Sequence, residues 1–135
     1  MSVRTLCGIA IAAACLAVVP VSAHHSFAAE FDETKPIKLT GKVLEMRWSN
    51  PHAWIYLEVD QNGKKEKWAF ETGAANGLFR NGWRKDDLVA GTVLTIQGFL
   101  ARNGSKTVNA GSILLPDGRR LFAGGSNPNG QAPAK

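Results

Sequence analysis

The chain has 135 residues, a net charge of +5 at pH 7, and 44% hydrophobic and 20% charged residues. This length and composition fit one small globular domain and exclude a chain with a long disordered half. The positive charge is small and spread along the sequence, and its one cluster, at Lys64, Lys65 and Lys67, lies beside a predicted turn. We therefore expect no nucleic-acid partner.

The first 23 residues have the pattern of a secretory signal peptide. Arg4 gives a positive start, residues 6–19 form an uncharged apolar run, and small side chains precede a predicted cleavage after Ala23. The apolar run is too short and wrongly flanked for a stable membrane span. We predict a cleaved leader that takes both cysteines with it, a periplasmic or secreted location, and no membrane anchor after processing.

Three turn dipeptides, at residues 62–63, 103–104 and 117–118, separate runs that alternate like strands. Each is Asn-Gly or Asp-Gly, which can take the positive φ angles of a tight hairpin turn. The clearest run is residues 52–60, where alternate side chains are expected to face the core. The inward set is Ala53, Ile55, Leu57 and Val59, and the outward set includes His52, Trp54 and Tyr56.

The remaining elements are less regular. The first strand is expected to be long and kinked, with a bulge near Val43 and Leu44. Residues 73–83 favour only a short helix, in which Leu78 and Phe79 are placed to plug a core and Gly82 to end the helix. Alternating runs downstream of this helix predict two or three further strands.

This order of elements predicts a mainly β protein. Three strands, a short helix and further strands are typical of a small five- to six-stranded OB-like Greek-key barrel with its helix between strands three and four. A β-sandwich is the alternative, because strand order cannot be read from one sequence. We divide the chain into a signal peptide (1–23), an N-terminal histidine-containing arm (24–35), an OB-like barrel domain (36–123) and a flexible tail (124–135).

Three histidines remain after the predicted cleavage. His24 becomes the first residue, and its α-amine loses a proton far more easily than a lysine does. This amine and the His24 imidazole can chelate one metal ion, to which His25 or His52 can add a third nitrogen. An all-nitrogen set favours Cu(II), with nickel and zinc bound more weakly. We predict a metal site, copper first, formed by His24, His25 and His52.

Simpler interpretations of the histidines stay open. The pair at the start of the mature chain can belong to an unstructured terminus, although Phe27 and Phe31 are spaced to pin this segment to the body. His52 can instead bond to a loop backbone and fix the Asn50-Pro51 turn. In that case the histidines have no metal to bind.

Aromatic side chains offer a different kind of site. Trp54 and Tyr56 share the outward face with His52, and Trp48 lies just before this strand. Such a face can hold a flat ligand or a side chain of a partner protein, although most tryptophans in a chain of this size pack in the core or across strands.

Catalytic motifs are missing from the sequence. The predicted mature chain has no cysteine nucleophile, no Ser/His/Asp spacing, no phosphate-binding glycine loop and no dinucleotide fingerprint. We therefore predict no catalytic residue and no organic cofactor. A copper-dependent oxidoreductase built on the N-terminal histidine is a third hypothesis, and it requires an open coordination position.

Five motifs, HHSFAAEFD, KPIKLTGKV, WSNPHAWIYLEV, GLFRNGW and LPDGRRLF, are distributed over His24 to about Phe122. Together they resemble a family of small exported bacterial proteins of unknown function. The resemblance implies a periplasmic or secreted bacterial protein, but it brings no activity, ligand or catalytic residue. The roles assigned to the histidines therefore depend on their chemistry alone.

These observations lead to one functional prediction and one main alternative. We predict a periplasmic or secreted, non-enzymatic binding module that binds copper or another transition metal. The alternative is a module that binds a small ligand or a periplasmic protein through the face of Trp54, Tyr56 and Trp48 and needs no metal.

Overall fold

The protein is mainly β. The computed structural model describes residues 27–125, so the predicted leader, His24 and His25 lie outside the described residues, as does most of the predicted tail. The elements are α1 (Phe27–Glu30), β1 (Phe31–Arg47), β2 (Trp54–Gln61), β3 (Lys64–Glu71), α2 (Ala75–Arg80), β4 (Val93–Ala101), β5 (Thr107–Leu114) and β6 (Arg120–Phe122). Both α1 and the start of β1 fall in the range that the sequence assigns to an arm. Within residues 27–125, no helix has the length and apolar character needed to cross a membrane.

The six strands form one sheet in the order β3-β2-β1-β4-β5-β6. Neighbours in this order are antiparallel. One further pairing is parallel and joins Ala69–Glu71 of β3 to Thr107–Asn109 of β5. As a result, each strand from β1 to β5 has a partner on both of its sides.

The alternation predicted for β2 is confirmed. Ala53, Ile55, Leu57 and Val59 are all buried in the core. The turn after β2 is confirmed as well, because Asn62 and Gly63 both have positive φ angles, of 57° and 83°. A two-residue turn of this kind matches the twist of an antiparallel pair and so fixes the register between β2 and β3.

Two irregularities bend β1. The pairing with β2 shifts between Val43 and Glu45, which confirms the predicted bulge and leaves Leu44 exposed. The pairing with β4 shifts near the start of β1, where Phe31 opposes Ala101 but Pro36 opposes Phe99. Residues 32–35 therefore stand opposite a single residue of β4, and the start of β1 moves away from the regular sheet.

The short helix α2 buries two of its residues, Ala75 and Leu78. Leu78 is 1% exposed and Trp83, just after the helix, is fully buried. Gly82 follows the helix with a positive φ angle, as predicted for the end of a helix. The prediction that Phe79 also plugs the core is wrong, since Phe79 is 57% exposed. Adjacent helix residues point about 100° apart, and Phe79 instead lies under the Arg84 guanidinium, 4.7 Å from the ring centre.

Candidate functional site

His52 lies directly before β2, and its ring is held on one side. Nδ1 is 3.2 Å from the carbonyl oxygen of Thr72 and 3.4 Å from Oε1 of Glu71. A carbonyl oxygen only accepts hydrogen bonds, so Nδ1 donates to Thr72, and in the neutral ring Nε2 keeps its lone pair. Within residues 27–125, all polar contacts of the ring are made by Nδ1. The side chain is 35% exposed.

Backbone contacts fix the position of the His52 segment. The Ser49 hydroxyl donates to the carbonyl of His52 over 2.7 Å. The amide of Ala53 donates to the carbonyl of Gly73, and the amide of Thr72 donates back to the carbonyl of Ala53. These bonds join the start of β2 to the end of β3. The prediction that His52 bonds to loop backbone is confirmed for Nδ1. It gives no role to Nε2.

Glu71 is a buried acid at the end of β3. Only 6% of the residue is exposed, and it stands opposite Trp54 on β2 and Asn109 on β5. Removing a carboxylate from water is costly unless it has partners, and the His52 ring is one of the contacts that Glu71 makes. Glu71 is not recognisable as a site residue from the sequence, because its contact with His52 depends on the register between β2 and β3.

Aromatic packing holds α1 on the body of the protein. Phe27 stacks on Phe31 with ring centres 5.8 Å apart and meets the edge of Phe99 at 5.8 Å. Both Phe27 and Phe31 are buried. The prediction that this pair pins the segment after the histidines to the body is confirmed.

Arg102, in the loop between β4 and β5, makes polar contacts to the same segment. Its amide donates to the carbonyl of Glu30 over 2.8 Å, and Nε donates to the carbonyl of Ala28 over 2.9 Å. Its guanidinium also lies 3.6 Å from the Asp32 carboxylate. The pKa of Asp32 lies below its ordinary value, mainly because the hydroxyl and amide of Thr34 donate to the carboxylate, with smaller effects of the Arg102 and Lys35 charges.

A cleft of about 560 Å³ opens between α1, the adjoining ends of β2 and β3, and the loop from β4 to β5. Its walls come from four parts of the chain that are distant in sequence: Ala29, Glu30, Phe31, Trp54, Glu71, Ala101, Arg102, Asn103, Ser105 and Thr107. The cleft thus brings the acid that contacts His52 next to the helix that begins two residues after His25.

The three aromatic residues predicted to form one face have different surroundings. Trp54 lines the cleft. Tyr56, further along β2, lies under Arg47 at 5.1 Å and Lys67 at 4.5 Å from its ring centre. Trp48 contacts Trp83 at 6.4 Å and packs against the core. Of the three, Trp54 is the residue that the structure places at a concave site.

One of the three predicted metal ligands lies among the described residues. His52 is described, whereas His24 and His25 lie outside the described residues. Among residues 27–125, no group of three or more His, Cys, Asp or Glu side chains is arranged to hold a metal ion. A site of three nitrogens therefore requires the mature N-terminus, and its convergence with His52 stays a prediction.

The chain is thus a small β protein with a cleft of mixed polar and apolar lining at one end of its sheet. A family model described as "Family of unknown function (DUF6152)" matches residues 12–110, which is more than half of the chain. The chain belongs to this family. No curated protein and no solved structure gives a significant match.

Proposed function

We propose that this chain is an exported, non-enzymatic binding module that holds a transition metal ion, copper first. The metal ligands would be the α-amine and imidazole of His24, with His25 and with Nε2 of His52. The observation that supports this proposal best is the position of the His52 ring, whose Nδ1 contacts Thr72 and Glu71 while Nε2 makes no hydrogen bond to the residues of 27–125.

This arrangement has the chemistry of a metal-binding histidine. Such a histidine usually donates its second ring nitrogen to a carboxylate or a backbone carbonyl, which fixes the tautomer and increases the basicity of the ligating nitrogen. Here Thr72 supplies the carbonyl and Glu71 the carboxylate. A histidine that served only to bond a loop would not need a buried acid beside it.

The anchoring of α1 supports the contribution of the N-terminus. The helix begins at Phe27, two residues after His25, and it is fixed by Phe31, Phe99 and Arg102. His25 precedes Phe27 by two residues and His24 by three, and an extended chain of these lengths spans at most about 7 and 11 Å, so this anchoring limits how far a ligand from the N-terminus can be from α1. We also propose that the protein is exported and cleaved after Ala23, because residues 1–23 have the pattern of a signal peptide.

We further propose that the sheet is an OB-like barrel formed by β1 to β5, with β6 added at one edge of β5. The support comes from the ring of pairings β1-β2-β3-β5-β4-β1 and from the position of α2 between β3 and β4. A single sheet with a parallel β3–β5 pairing is not what a sandwich of two separate sheets requires. Nuclear Overhauser contacts between Phe70 and Val108, which are paired in register, would test the closure.

The metal proposal is tested by titrating Cu(II) into the processed protein, beginning at His24, by calorimetry. Two variants divide the site: one with an acetylated α-amine, and His52→Asn, in which the amide takes the place of Nδ1 and Nε2 is lost. We expect each change to weaken copper binding by about tenfold or more, which is about 1.4 kcal/mol. Binding should also weaken between about pH 8 and pH 6, as the nitrogens take up protons.

The two variants make the outcomes separable. Unchanged affinity in the acetylated protein would remove the amine from the site, and unchanged affinity in His52→Asn would remove His52. A chain that binds no copper in any form would overturn the proposal. Urea unfolding of His52→Asn checks that any loss of binding does not come from a loss of folding.

A second candidate function is a module that binds a small ligand or a partner protein without a metal. The cleft next to Trp54 favours it, since ligand sites are usually concave and combine an aromatic wall with a few polar groups. This candidate uses Trp54 and leaves the N-terminal histidines without a role.

A further inference from the structure

The outer surface of β1, β4, β5 and β6 carries charge of one sign. Side chains alternate along a strand, and those that point away from the core include Lys38 and Lys42 on β1 and Arg120 on β6, all three exposed. The sequence has no Asp or Glu in residues 36–42 of β1 or in β4, β5 and β6. We call this surface, from Lys38 and Lys42 across to Arg120, the basic face.

Strand pairing brings two of these cations together over uncharged polar groups. Lys38 is paired with Gln97 on β4, and Gln97 with Ser112 on β5. One shallow depression is lined by side chains from all four strands, among them Lys38, Thr95, Gln97, Ser112 and Arg120. Its volume of about 10 Å³ holds about one water molecule. The middle of the basic face therefore suits a broad anionic surface better than a small organic ligand.

The protein does not neutralise the cations of the basic face. Among residues 27–125, Lys38, Lys42 and Arg120 make no ion pair with an acid. Lys42 stands opposite Glu58 on β2, but the carboxylate of Glu58 lies 3.1 Å from the ammonium group of Lys65. A surface with charges of a single sign attracts partners of the opposite charge.

Exposed aliphatic side chains lie next to these cations. Val93 is directly opposite Lys42, at the start of β4. Leu44 lies in the bulge of β1 and Val89 in the loop before β4, and this loop is held beside the bulge by two backbone hydrogen bonds of Val43. The three aliphatic residues are between 42% and 58% exposed. One end of the basic face is therefore apolar.

This combination fits an anionic membrane surface better than a protein partner. Lipid headgroups offer phosphates to lysine and arginine, and the boundary with the acyl chains accepts apolar side chains. The centre of a protein interface is instead depleted in lysine and enriched in aromatic residues. Here the middle of the face holds Lys38 among hydroxyl and amide groups, and the apolar side chains beside Lys42 are aliphatic.

We propose that the basic face is a peripheral membrane-binding surface. Its three cations contact the phosphates of anionic lipids, and the three aliphatic side chains beside Lys42 insert among the headgroups. Such binding is reversible and needs no membrane-spanning segment. The proposal does not depend on the metal site, because the basic face and the cleft have no lining residue in common.

The experiment is sedimentation of the processed protein with two kinds of vesicle, one of phosphatidylcholine and one of phosphatidylcholine mixed with an equal amount of phosphatidylglycerol. We expect the partition coefficient to be at least about tenfold higher for the anionic vesicles. It should fall when salt is raised from about 0.1 M to 1 M, since the screening length shortens from about 10 Å to 3 Å. Equal partition into both kinds of vesicle, or binding that salt leaves unchanged, would overturn the proposal.

A competitor separates a lipid surface from an acidic protein. Polyglutamate, added at the same concentration of negative charge as the anionic lipid, has no apolar layer into which the aliphatic side chains could insert. It should therefore leave most of the protein on the vesicles. Complete displacement by polyglutamate would refute the membrane proposal and assign the basic face to an acidic protein segment.

Two triple variants with the same change of charge locate the binding surface. Lys38→Gln, Lys42→Gln and Arg120→Gln, combined in one chain, should weaken partition into anionic vesicles about a hundredfold, since each cation contributes about fivefold. The control replaces the three lysines among residues 64–67 by glutamine, at the β2–β3 turn, and should weaken partition less than about threefold. Equal losses would show that net charge, and not the basic face, determines binding.

A variant of unchanged charge tests the apolar end. Leu44→Thr combined with Val93→Thr should weaken partition into anionic vesicles about tenfold, because the hydroxyl-bearing side chains gain less from leaving water. Unchanged partition would refute insertion of these side chains. The substituted residues on the basic face are all exposed, and urea unfolding checks that each variant is folded.

Discussion

Charged side chains lie at both ends of the β2–β3 pair, with exposed lysines at one end and a buried acid, Glu71, at the other. At the turn end, residues 58–66, Lys65 lies 3.1 Å from Glu58 and Lys64 lies 3.2 Å from Glu66, with both lysines mostly in solvent. At the cleft end, formed by His52, Trp54 and Glu71 with α1, the main acid is buried against an imidazole.

The two ends differ in the free energy that is at stake when a charge is placed there. An exposed ion pair contributes about 0–1 kcal/mol and is easily replaced. A buried carboxylate loses several kcal/mol of hydration, which its contacts often do no more than offset. The pairs of Lys64 and Lys65 are therefore expected to matter little for stability, whereas the buried Glu71 depends on its contacts, among them the one with the His52 ring.

The largest effect should come from the core between these two ends. Phe70 is fully buried in β3, directly before Glu71. We expect Phe70→Ala to lower the free energy of unfolding by about 3–5 kcal/mol, because it removes a large apolar side chain and leaves a cavity. Lys65→Ala at the turn end is the control and should change it by less than about 1 kcal/mol. Urea unfolding measures both, and similar losses in the two variants would contradict the comparison.

A smaller effect is expected at Glu71, and it should appear in binding rather than in stability. Glu71→Gln keeps the shape of the side chain but weakens the support of the His52 ring, so copper affinity should fall about tenfold. The free energy of unfolding should stay within about 1 kcal/mol of that of the unchanged protein, since glutamine keeps the volume of the side chain and an oxygen that accepts hydrogen bonds. The control is Glu58→Gln, which removes an acid of the same strand pair at the turn end.

Two results would contradict this view of Glu71. A large loss of stability without a change in copper affinity would make Glu71 a structural residue. An equal loss of copper affinity in Glu58→Gln would show that the general negative charge of the protein, and not the support of His52, determines binding.

Local features of the fold could be predicted from the sequence. The alternation in β2, the Asn62-Gly63 turn and the bulge after Val43 each depend on a few neighbouring residues, and each is confirmed. The packing of Phe27 on Phe31 is also local, because the two residues are four apart. The error at Phe79 has a local origin as well, since a helix of six residues turns only one narrow face to the core.

The candidate site could be predicted only in part, because its contacts join distant residues. His52 meets Thr72 across twenty positions, and Arg102 reaches Ala28 across seventy-four. Such contacts depend on strand register and on the shift near the start of β1, which no short motif encodes. The sequence therefore indicated His52 and Trp54 as candidates but did not identify Glu71 or Arg102 as their neighbours.

The smallest effect concerns how two acids at opposite ends respond to salt. Asp32, beside Arg102, and Glu66, at the turn end, both have pKa values below their ordinary values of 3.8 and 4.5. For Asp32 the main cause is uncharged, namely the hydroxyl and amide of Thr34. For Glu66 the main cause is hydrogen bonding to two ammonium groups, those of Lys106 at 2.8 Å and Lys64 at 3.2 Å.

Salt should therefore separate the two acids. At 1 M ionic strength the screening length falls to about 3 Å, so we expect the pKa of Glu66 to rise toward 4.5 while that of Asp32 stays low. A depressed pKa means that each carboxylate stabilises the fold above its ordinary pKa and loses that effect as the pH falls through the folded value. Added salt should therefore reduce the loss of unfolding free energy that protonation of Glu66 causes at low pH. The corresponding loss caused by protonation of Asp32 should stay the same. Carboxyl NMR titrations at low and high salt measure both values. A salt shift at Asp32 as large as that at Glu66 would mean that Arg102, and not Thr34, controls this acid.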